Sequence, residues 1–536
     1  MTDSPTDNLT LTTDVLVIGG GPAGTWAALK AARAGADVIL ADKGYCGTSG
    51  PTASGGTGVW YVPPLEDARE AAMSSRDKMG GYLADRDWMR RVLNQTWDNM
   101  NELAEEGKYP FPVGPDGQQM RRGLQGPEYM RIQRRRVKRA GVRILDHSPV
   151  LELLTDSSGA VAGAAGYRRQ EGTHYTVRAG AVVLATGGCA FLSRALGTNV
   201  NTGDGALMAA EVGAELSGME FSTAYAIAPE FSTVTKTAYY NFATFYHEDG
   251  SVLEGAGSQG GRSVIARALL NERVFCTIDA ATPEDQAAMR LGQVNFFLPF
   301  DRMGINPFTD RFPVTLLLEG TVRGTGGVHV AGDHGETSTP GLYVAGDVAT
   351  RELICGGFTG GGSHNSAWAM SSGAWAGQAA ARYATTVGHS ARGRSVRAAG
   401  EAALRPTGTP GRPDAYQDVV SVVRDEVHPY DTNYLRHGDR LTPALETLND
   451  TWRELRSSLY ATDGDAVRAR SAAAMVAHAR WMYTSALART ESRGMHKRQD
   501  YRELDPAQHH RLLVGGLDEL WTAPSPWTRD LASVVS

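Results

Sequence analysis

The amino-acid sequence predicts an α/β fold followed by a helical C-terminal part. Three observations predict it. An apolar stretch, "DVLVI" (14–18), runs into "GGGPAG" (19–24), then a helix-spaced segment, then a second apolar stretch, "DVILADK" (37–43). That is a complete β-turn-α-β unit, the Rossmann-like building block of a parallel sheet. A buried strand returns late, at "PGLYVAGDV" (340–348), after a weakly patterned, aromatic-rich region at 220–324. From 415 onward helical spacing dominates, in "YQDVVSVVRDEV", "LTPALETLNDTWRELRSSL" and "AVRARSAAAMVAHARWMYTSALARTESR".

Taken in order, the helix after the glycine cluster, "TWAALKAARAGA", stops at Gly35. The stretch "YCGTSGPTASGGTG" (45–58) follows the second strand; ten of its fourteen residues are Gly, Ser or Thr, which is either a linker or the wall of a site. Segments 65–108 and 127–141 read as helical, the latter with a basic face carrying Arg134, Arg135, Arg136, Lys138 and Arg139. Residues 142–154, 161–180 and 181–188 read as strands and a hairpin with glycine turns. "DGALMAAEVGAEL" (204–216) and the small-residue segment 366–384 read as helices, and 387–414, basic and then rich in Pro and Gly, as a linker.

The chain of 536 residues is too long for one core. Its 42% hydrophobic and 21% charged content is that of a globular enzyme, and a net charge of -6 gives no footprint for nucleic acid. No apolar run approaches the ~20 residues of a membrane span. The first thirteen residues are polar and lack a secretory pattern. Cys46, Cys189, Cys276 and Cys355 are far apart with no CxxC, so reduced thiols in a cytoplasmic protein are expected and no metal or iron–sulfur site.

The glycine cluster contains G-x-G-x-x-G at Gly19, Gly21 and Gly24, with Pro22 and Ala23 between them. An acidic residue, Asp42, ends the next strand. Gly19 permits the tight turn, Gly21 lets a pyrophosphate approach the backbone, and Gly24 lets the helix pack on the strand. The helix N-terminus supplies free N–H groups and partial positive charge, and Asp42 can accept ribose hydroxyls. Three later features favour FAD over NAD. They are "VVLATGG" (182–188), with Ala185, Thr186 and Gly187; "LYVAGDV" (342–348), with Gly346 and Asp347; and "GGFTGGGSHNS" (356–366), with Ser363, Asn365 and Ser366 at a helix start.

With "NTGDGALMAAEVGAEL" and "MEF" (201–221), "GRSVIARAL" (261–269), "GTGGVHV" (324–330) and "ALARTESRGMHKRQDY" (486–501), the ordering resembles one family. This is the flavoprotein family of succinate dehydrogenase and fumarate reductase, with L-aspartate oxidase and the adenylylsulfate reductase α subunit. The resemblance covers residues 10–505. It implies a Rossmann-like FAD-binding domain split into 1–219 and 325–386, an inserted α+β capping domain at 220–324, a linker at 387–414 and a C-terminal helical domain at 415–536. It also implies FAD contacts by Lys43, Thr48, Ser49, Ser54, Gly55, Gly56, Val150, Thr202 and Asp204.

The departures from the family carry as much. Ser49 stands where the covalent members have a histidine bonded to the flavin, so non-covalent FAD is expected. Val322 stands where the dicarboxylate enzymes have a histidine, and Gly361 at about the place of an arginine, so succinate, fumarate and aspartate are not the expected substrates. Arg262 matches the family's proton-handling arginine, with Ser263 after it in place of Asp.

Tyr225 and His364 are further catalytic candidates; Tyr239, Tyr240, Tyr246, His247, Arg323 and Arg351 are lesser ones. Glu491, Arg493 and His496 are expected to dock the helical part on the FAD domain. The expected activity is that of a soluble FAD-dependent oxidoreductase working on a C–C or C–N bond of a small organic substrate. Oxygen, a quinone or an iron–sulfur protein would be the acceptor. The alternatives are an electron-transfer subunit with an iron–sulfur partner and a non-redox FAD-binding scaffold.

Overall fold

A computed structural model describes residues 8–114, 116–235, 238–359, 361–388 and 393–526. The first strand, Leu9–Ile18, is the centre of the main sheet. It pairs in parallel with Val38–Ala41 on one side and Thr173–Leu184 on the other. Val38–Ala41 in turn pairs in parallel with Arg143–Leu145. The inner halves of these strands are apolar on both faces and buried, as in a sheet covered by helices on both sides.

Residues 173–184, expected as two elements, form one strand of twelve residues. Its first half completes an antiparallel meander with Val161–Arg168 and Val150–Thr155. Its second half pairs in parallel with Leu342–Val344, the late strand. One long strand thus joins the meander to the nucleotide-type sheet.

Helix Pro22–Arg33 packs against the long helix Gly361–Val387. The small residues of the long helix explain the closeness. A Cβ on Gly373 would stand 2.3 Å from the Ala23 carbonyl oxygen, and one on Gly377 2.2 Å from that of Ala27. The chain in this way brings residues near 20 and near 365 to the same end of the sheet.

Between the halves of that core lies an antiparallel sheet in the order Tyr225–Pro229, Phe312–Leu318, Val274–Thr277, Thr244–Tyr246. Phe312–Leu318 alternates buried and half-buried residues, with one face on a core that includes Phe296, Phe297 and Phe300. Helix Arg262–Ala268 lies in this region and carries Arg262 at its first position.

Two expectations are corrected. Residues 393–414 are not a free linker: Arg397–Ala398 adds an antiparallel edge to Val150–Thr155, and Arg394 and Arg405 pair with Asp156 and Glu152, each at 2.7 Å. Residues 389–392 lie outside the described residues. The C-terminal part is helical over Tyr416–Val427, Gly438–Ser458 and Asp463–Ala488, but not beyond. Leu512–Gly515 and Trp521–Pro524 are strands that join Leu216–Ser217 and Gly327–Val328 in a second sheet. Helical spacing could not show this, because the strand that Leu512–Gly515 joins, Leu216–Ser217, lies about 300 residues upstream.

Among the described residues, no helix is long and apolar enough to cross a membrane.

Candidate active site

A cavity of about 610 Å³ runs from the first βα turn to the inserted antiparallel region. It is lined by Arg262, His364 and every residue singled out from the sequence for the cofactor except Gly24, Thr48 and Thr202; of the remaining catalytic candidates only Arg323 lines it.

At one end is the glycine turn. A Cβ on Gly19 would meet the Ala185 carbonyl oxygen at 2.2 Å, and one on Gly24 the Gly19 oxygen at 1.8 Å. These two glycines are packing requirements, and Gly24 faces the strand rather than the cavity. Gly21 differs, because a Cβ there would meet nothing within 4 Å and would enter the cavity. The helix it precedes has no side-chain cap and no acidic residue in its first turn, so its N–H groups suit a pyrophosphate.

Asp42 is held by three donors: the Gly20 N–H at 2.5 Å, the Gly44 N–H at 2.7 Å and the Ser49 hydroxyl at 2.8 Å. Ser49 is therefore bonded to the carboxylate at the strand end. Lys43 gives all three of its protons away, to Thr202 at 2.8 Å, Asp204 at 2.7 Å and Ser471 at 2.8 Å. Its ammonium serves this buried knot, and only its stem is left to line the cavity. Thr202 belongs to the same knot, and Thr48 bonds back to the Tyr45 carbonyl; both are corrected from cavity contacts to supports.

The stretch 45–58 is no linker. Asn295 donates to the Ser54 carbonyl at 2.7 Å, the Gly126 N–H to that of Gly55 at 2.9 Å, and Thr57 meets Ser366 at 2.8 Å. The loop is thereby tied to the inserted region, the helix Gly126–Arg139 and the helix Gly361–Val387. It forms one cavity wall, and Ser366 is engaged in holding it.

Further along, Asp347 is paired with Arg351 at 2.5 Å, and burial raises its carboxyl pKa against the pull of Arg351 and Arg323. Arg351 is fully buried and also donates to the Thr321 carbonyl, so it is structural. Three lining residues carry buried polar atoms with no partner among the described residues: Thr186 Oγ1, Asn201 Oδ1 and Asn365 Oδ1. Such atoms are costly unless a bound group satisfies them. A long cavity, an uncapped helix start, a carboxylate at the strand end and unsatisfied acceptors along the wall together fit a dinucleotide, with Asn365 placed for the far end.

At that far end Arg262 donates Nε to the Ser258 carbonyl at 2.7 Å and Nη1 to that of Tyr225 at 2.8 Å. Its Nη2 makes no hydrogen bond to the described residues. Burial lowers its pKa from the ordinary value, with Tyr434 and Glu319 pulling the other way. Glu319, 5% exposed, accepts from Thr235 at 2.7 Å and lies 3.8 Å from Arg323. His364 borders the same space with its ring on Trp60.

Tyr225 is corrected. Its hydroxyl donates to the Val427 and His428 carbonyls at 2.9 and 3.0 Å, away from the large cavity, and burial raises its pKa well above 10. Of the lesser candidates, Tyr239 donates to the Met289 carbonyl, Tyr240 is buried, Tyr246 packs under Arg311, and His247 pairs with Glu272 at 2.7 Å; none of these four lines the cavity. The basic run is not simply solvated: Arg134 pairs with Asp146, and Arg136 is buried against Trp26 and Glu102.

Glu491 and Arg493 form a buried pair, and Arg493 donates to the Gly81 carbonyl across the molecule. His496 accepts from Arg436 instead, within the C-terminal part.

Sequence reasoning missed Arg76, Asn201, Gln259, Gln293 and Glu319, all on the cavity wall. For Arg76 a signal existed. It shares the buried stripe of helix Glu66–Met79 with Arg69 and Met73, where an arginine needs a reason to be.

Residues 14–226 match the FAD binding domain model, and residues 430–530 the fumarate reductase flavoprotein C-terminal model. The chain is 26% identical to L-aspartate oxidase of Streptomyces coelicolor, over 95% of this chain and 92% of that one. It is 27% identical to the fumarate reductase flavoprotein subunit of Mycobacterium tuberculosis, over 92% of each. Its fold is that of the quinol fumarate reductase flavoprotein of E. coli, with a TM-score of 0.80 at 21% identity, covering 96% of this chain and 97% of that one. The chain thus carries an FAD binding domain and a fumarate reductase flavoprotein C-terminal domain, is similar along its length to L-aspartate oxidase and to fumarate reductase flavoprotein subunits, and is an FAD-dependent oxidoreductase.

Proposed function

We propose that the protein dehydrogenates or reduces a C–C or C–N bond of a small organic molecule, with non-covalently held FAD. The observation that carries this reading is the continuity of one cavity from the Gly21 turn to Arg262. The turn at Gly21 would take the pyrophosphate, Asp42 a ribose, Thr186 and Asn201 the middle of the cofactor, and Ser363 and Asn365 its ring end. Bound FAD would supply the two-electron, hydride-transfer chemistry at this end of the cavity.

Arg262 holds the proton. Two backbone carbonyls fix its guanidinium, leaving Nη2 for the substrate. Burial makes it a better acid than a solvated arginine. Glu319 is a buried carboxylate in the same cavity through which that proton can be replaced. Val322 lines the cavity with an apolar side chain where the dicarboxylate enzymes carry histidine, which argues against succinate, fumarate and aspartate.

The test is anaerobic bleaching of the flavin by amino acids, hydroxy acids, enoates and cyclic ketones. One class should bleach it, and the Arg262→Met variant should lose that response. A flavin that dithionite reduces and no compound does would instead point to a scaffold or an electron-transfer subunit.

A further inference from the structure

We propose that Arg323 is the substrate's anchor, a specificity-determining residue that takes an organic acid by a single carboxylate and leaves its apolar remainder against the cavity wall. The inference rests on reading this cavity as the site of flavin and substrate. Arg323 ends the short helix Gly320–Arg323 and lines the cavity, with its side chain 29% exposed. Its guanidinium donates no hydrogen bond to the described residues; Glu319 Oε2 stands 3.8 Å from its Nε, too far for one. The planar donor fork is thus left for a ligand, and its shape suits a carboxylate. The backbone that presents it is fixed. A Cβ on Gly320 would stand 2.1 Å from the Cys189 carbonyl oxygen, and one on Gly324 2.7 Å from that of Phe221. The Arg323 carbonyl accepts from the Thr359 hydroxyl at 2.6 Å. Backbone order already in place lowers the cost of binding.

The surroundings of Arg323 define what it can hold. Three lining neighbours are apolar: Val322 precedes it, Phe358 precedes the threonine that bonds its carbonyl, and Val234 precedes Thr235, which donates to Glu319. The nearby carboxylates are engaged, Glu319 with Thr235 at 2.7 Å and Asp347 with Arg351. Burial lowers the Arg262 pKa, Tyr434 and Glu319 oppose this, and Arg323 adds to it, so the two guanidiniums share one electrostatic neighbourhood. A carboxylate beside Arg323 relieves their repulsion. The wall of two valines and a phenylalanine rejects a second charge, because burying an unpaired charge is costly. The substrate class is therefore a monocarboxylic acid with hydrocarbon next to its carboxylate.

The test titrates holoprotein with small probes and follows the flavin absorbance spectrum. The probes are butanoate, succinate and butanamide, with acetate and hexanoate for chain length. Butanoate should perturb the spectrum saturably, about tenfold or more tighter than succinate or butanamide. Affinity should rise from acetate to hexanoate by up to about fourfold per CH2. Arg323→Gln should weaken butanoate about 10- to 100-fold, the worth of a charge-assisted hydrogen bond, at unchanged flavin content. Arg323→Lys keeps the charge without the fork and should fall between; it serves alone if Arg323→Gln folds poorly, and full butanoate affinity in it overturns the proposal. Butanoate binding unmoved by Arg323→Gln, succinate bound tighter than butanoate, or no perturbation by any of the acids overturns it too. So does a lost flavin or a shifted midpoint potential in Arg323→Gln with butanoate affinity intact, which assigns the arginine to the cofactor. Binding needs no turnover. Acids that bind while no compound bleaches the flavin would keep the anchor and remove the redox reading; bleaching by neutral ketones with no acid bound would do the reverse.

Discussion

Arg262 shows how much one side chain's fixed geometry can decide. Its Nε and Nη1 are committed to the Ser258 and Tyr225 carbonyls, which leaves one nitrogen for chemistry. A lysine carries its three donors on one nitrogen, without the planar fork that spans two separate carbonyls and still aims a second nitrogen into the cavity. Arg262→Lys should therefore lower kcat by about 10²–10⁴-fold, the usual worth of a positioned acid. Flavin content should stay unchanged, and stopped-flow reduction against absorbance at rest separates the two effects. Ser49 makes a second residue-scale case. Its hydroxyl is bonded to Asp42, and the stretch 45–58 contains no histidine. Acid precipitation should release all of the flavin to the supernatant, and a yellow pellet would refute non-covalent binding. Both residues were legible in the sequence because each stands in a motif. Arg76 and Glu319 were not, since neither has a local pattern: a buried guanidinium and a buried carboxylate acquire meaning only from the cavity they share.

The first βα turn sorts its glycines by what they face. Gly24 faces backbone, where a Cβ would stand 1.8 Å from the Gly19 oxygen, and Gly21 faces the cavity at φ -75°, a value any residue adopts. Gly24→Ala should destabilise the apoprotein and lower its thermal midpoint. Gly21→Ala should leave that midpoint unchanged, within the ~0.5 kcal/mol of a neutral substitution, and weaken FAD binding. Titrating apoprotein with FAD by flavin fluorescence, beside melts without FAD, reads both; a Gly21→Ala protein that binds FAD normally would remove the pyrophosphate from this turn. Element identity here was legible because strand, turn and helix follow one another within 30 residues. The 393–414 segment misled for the opposite reason. Its Pro, Gly and basic composition is that of a linker, while its two arginine–carboxylate bridges and short edge strand depend on residues 150–156, far away in sequence.

Across the whole molecule, segments about 300 residues apart meet in the sheet that joins Leu216–Ser217 to Leu512–Gly515, and the interior is rich in buried ionisable groups. Two of these pull stability in opposite directions with pH. His478 is fully buried, and burial holds its pKa down to about 3 from an ordinary 6.5. Its stabilising contribution is complete above pH 6.5 and is lost as pH falls toward 3, because the unfolded chain takes up a proton that the folded one refuses. Glu352 is also fully buried, and burial raises its pKa from 4.5 to about 7 against the pull of Arg511, with Glu220 adding repulsion. Its contribution is complete below pH 4.5 and is lost as pH rises through about 7. Each slope has a limit of about 1.4 kcal/mol per pH unit, so between pH 4.5 and 6.5 they largely cancel in the unmodified protein. Removing one exposes the other. His478→Gln should make the thermal midpoint fall with rising pH across that window relative to the unmodified protein, and Glu352→Gln should make it rise. Differential scanning calorimetry at half-unit pH steps measures both, and parallel curves for all three proteins would mean that neither group is held in the state its burial implies.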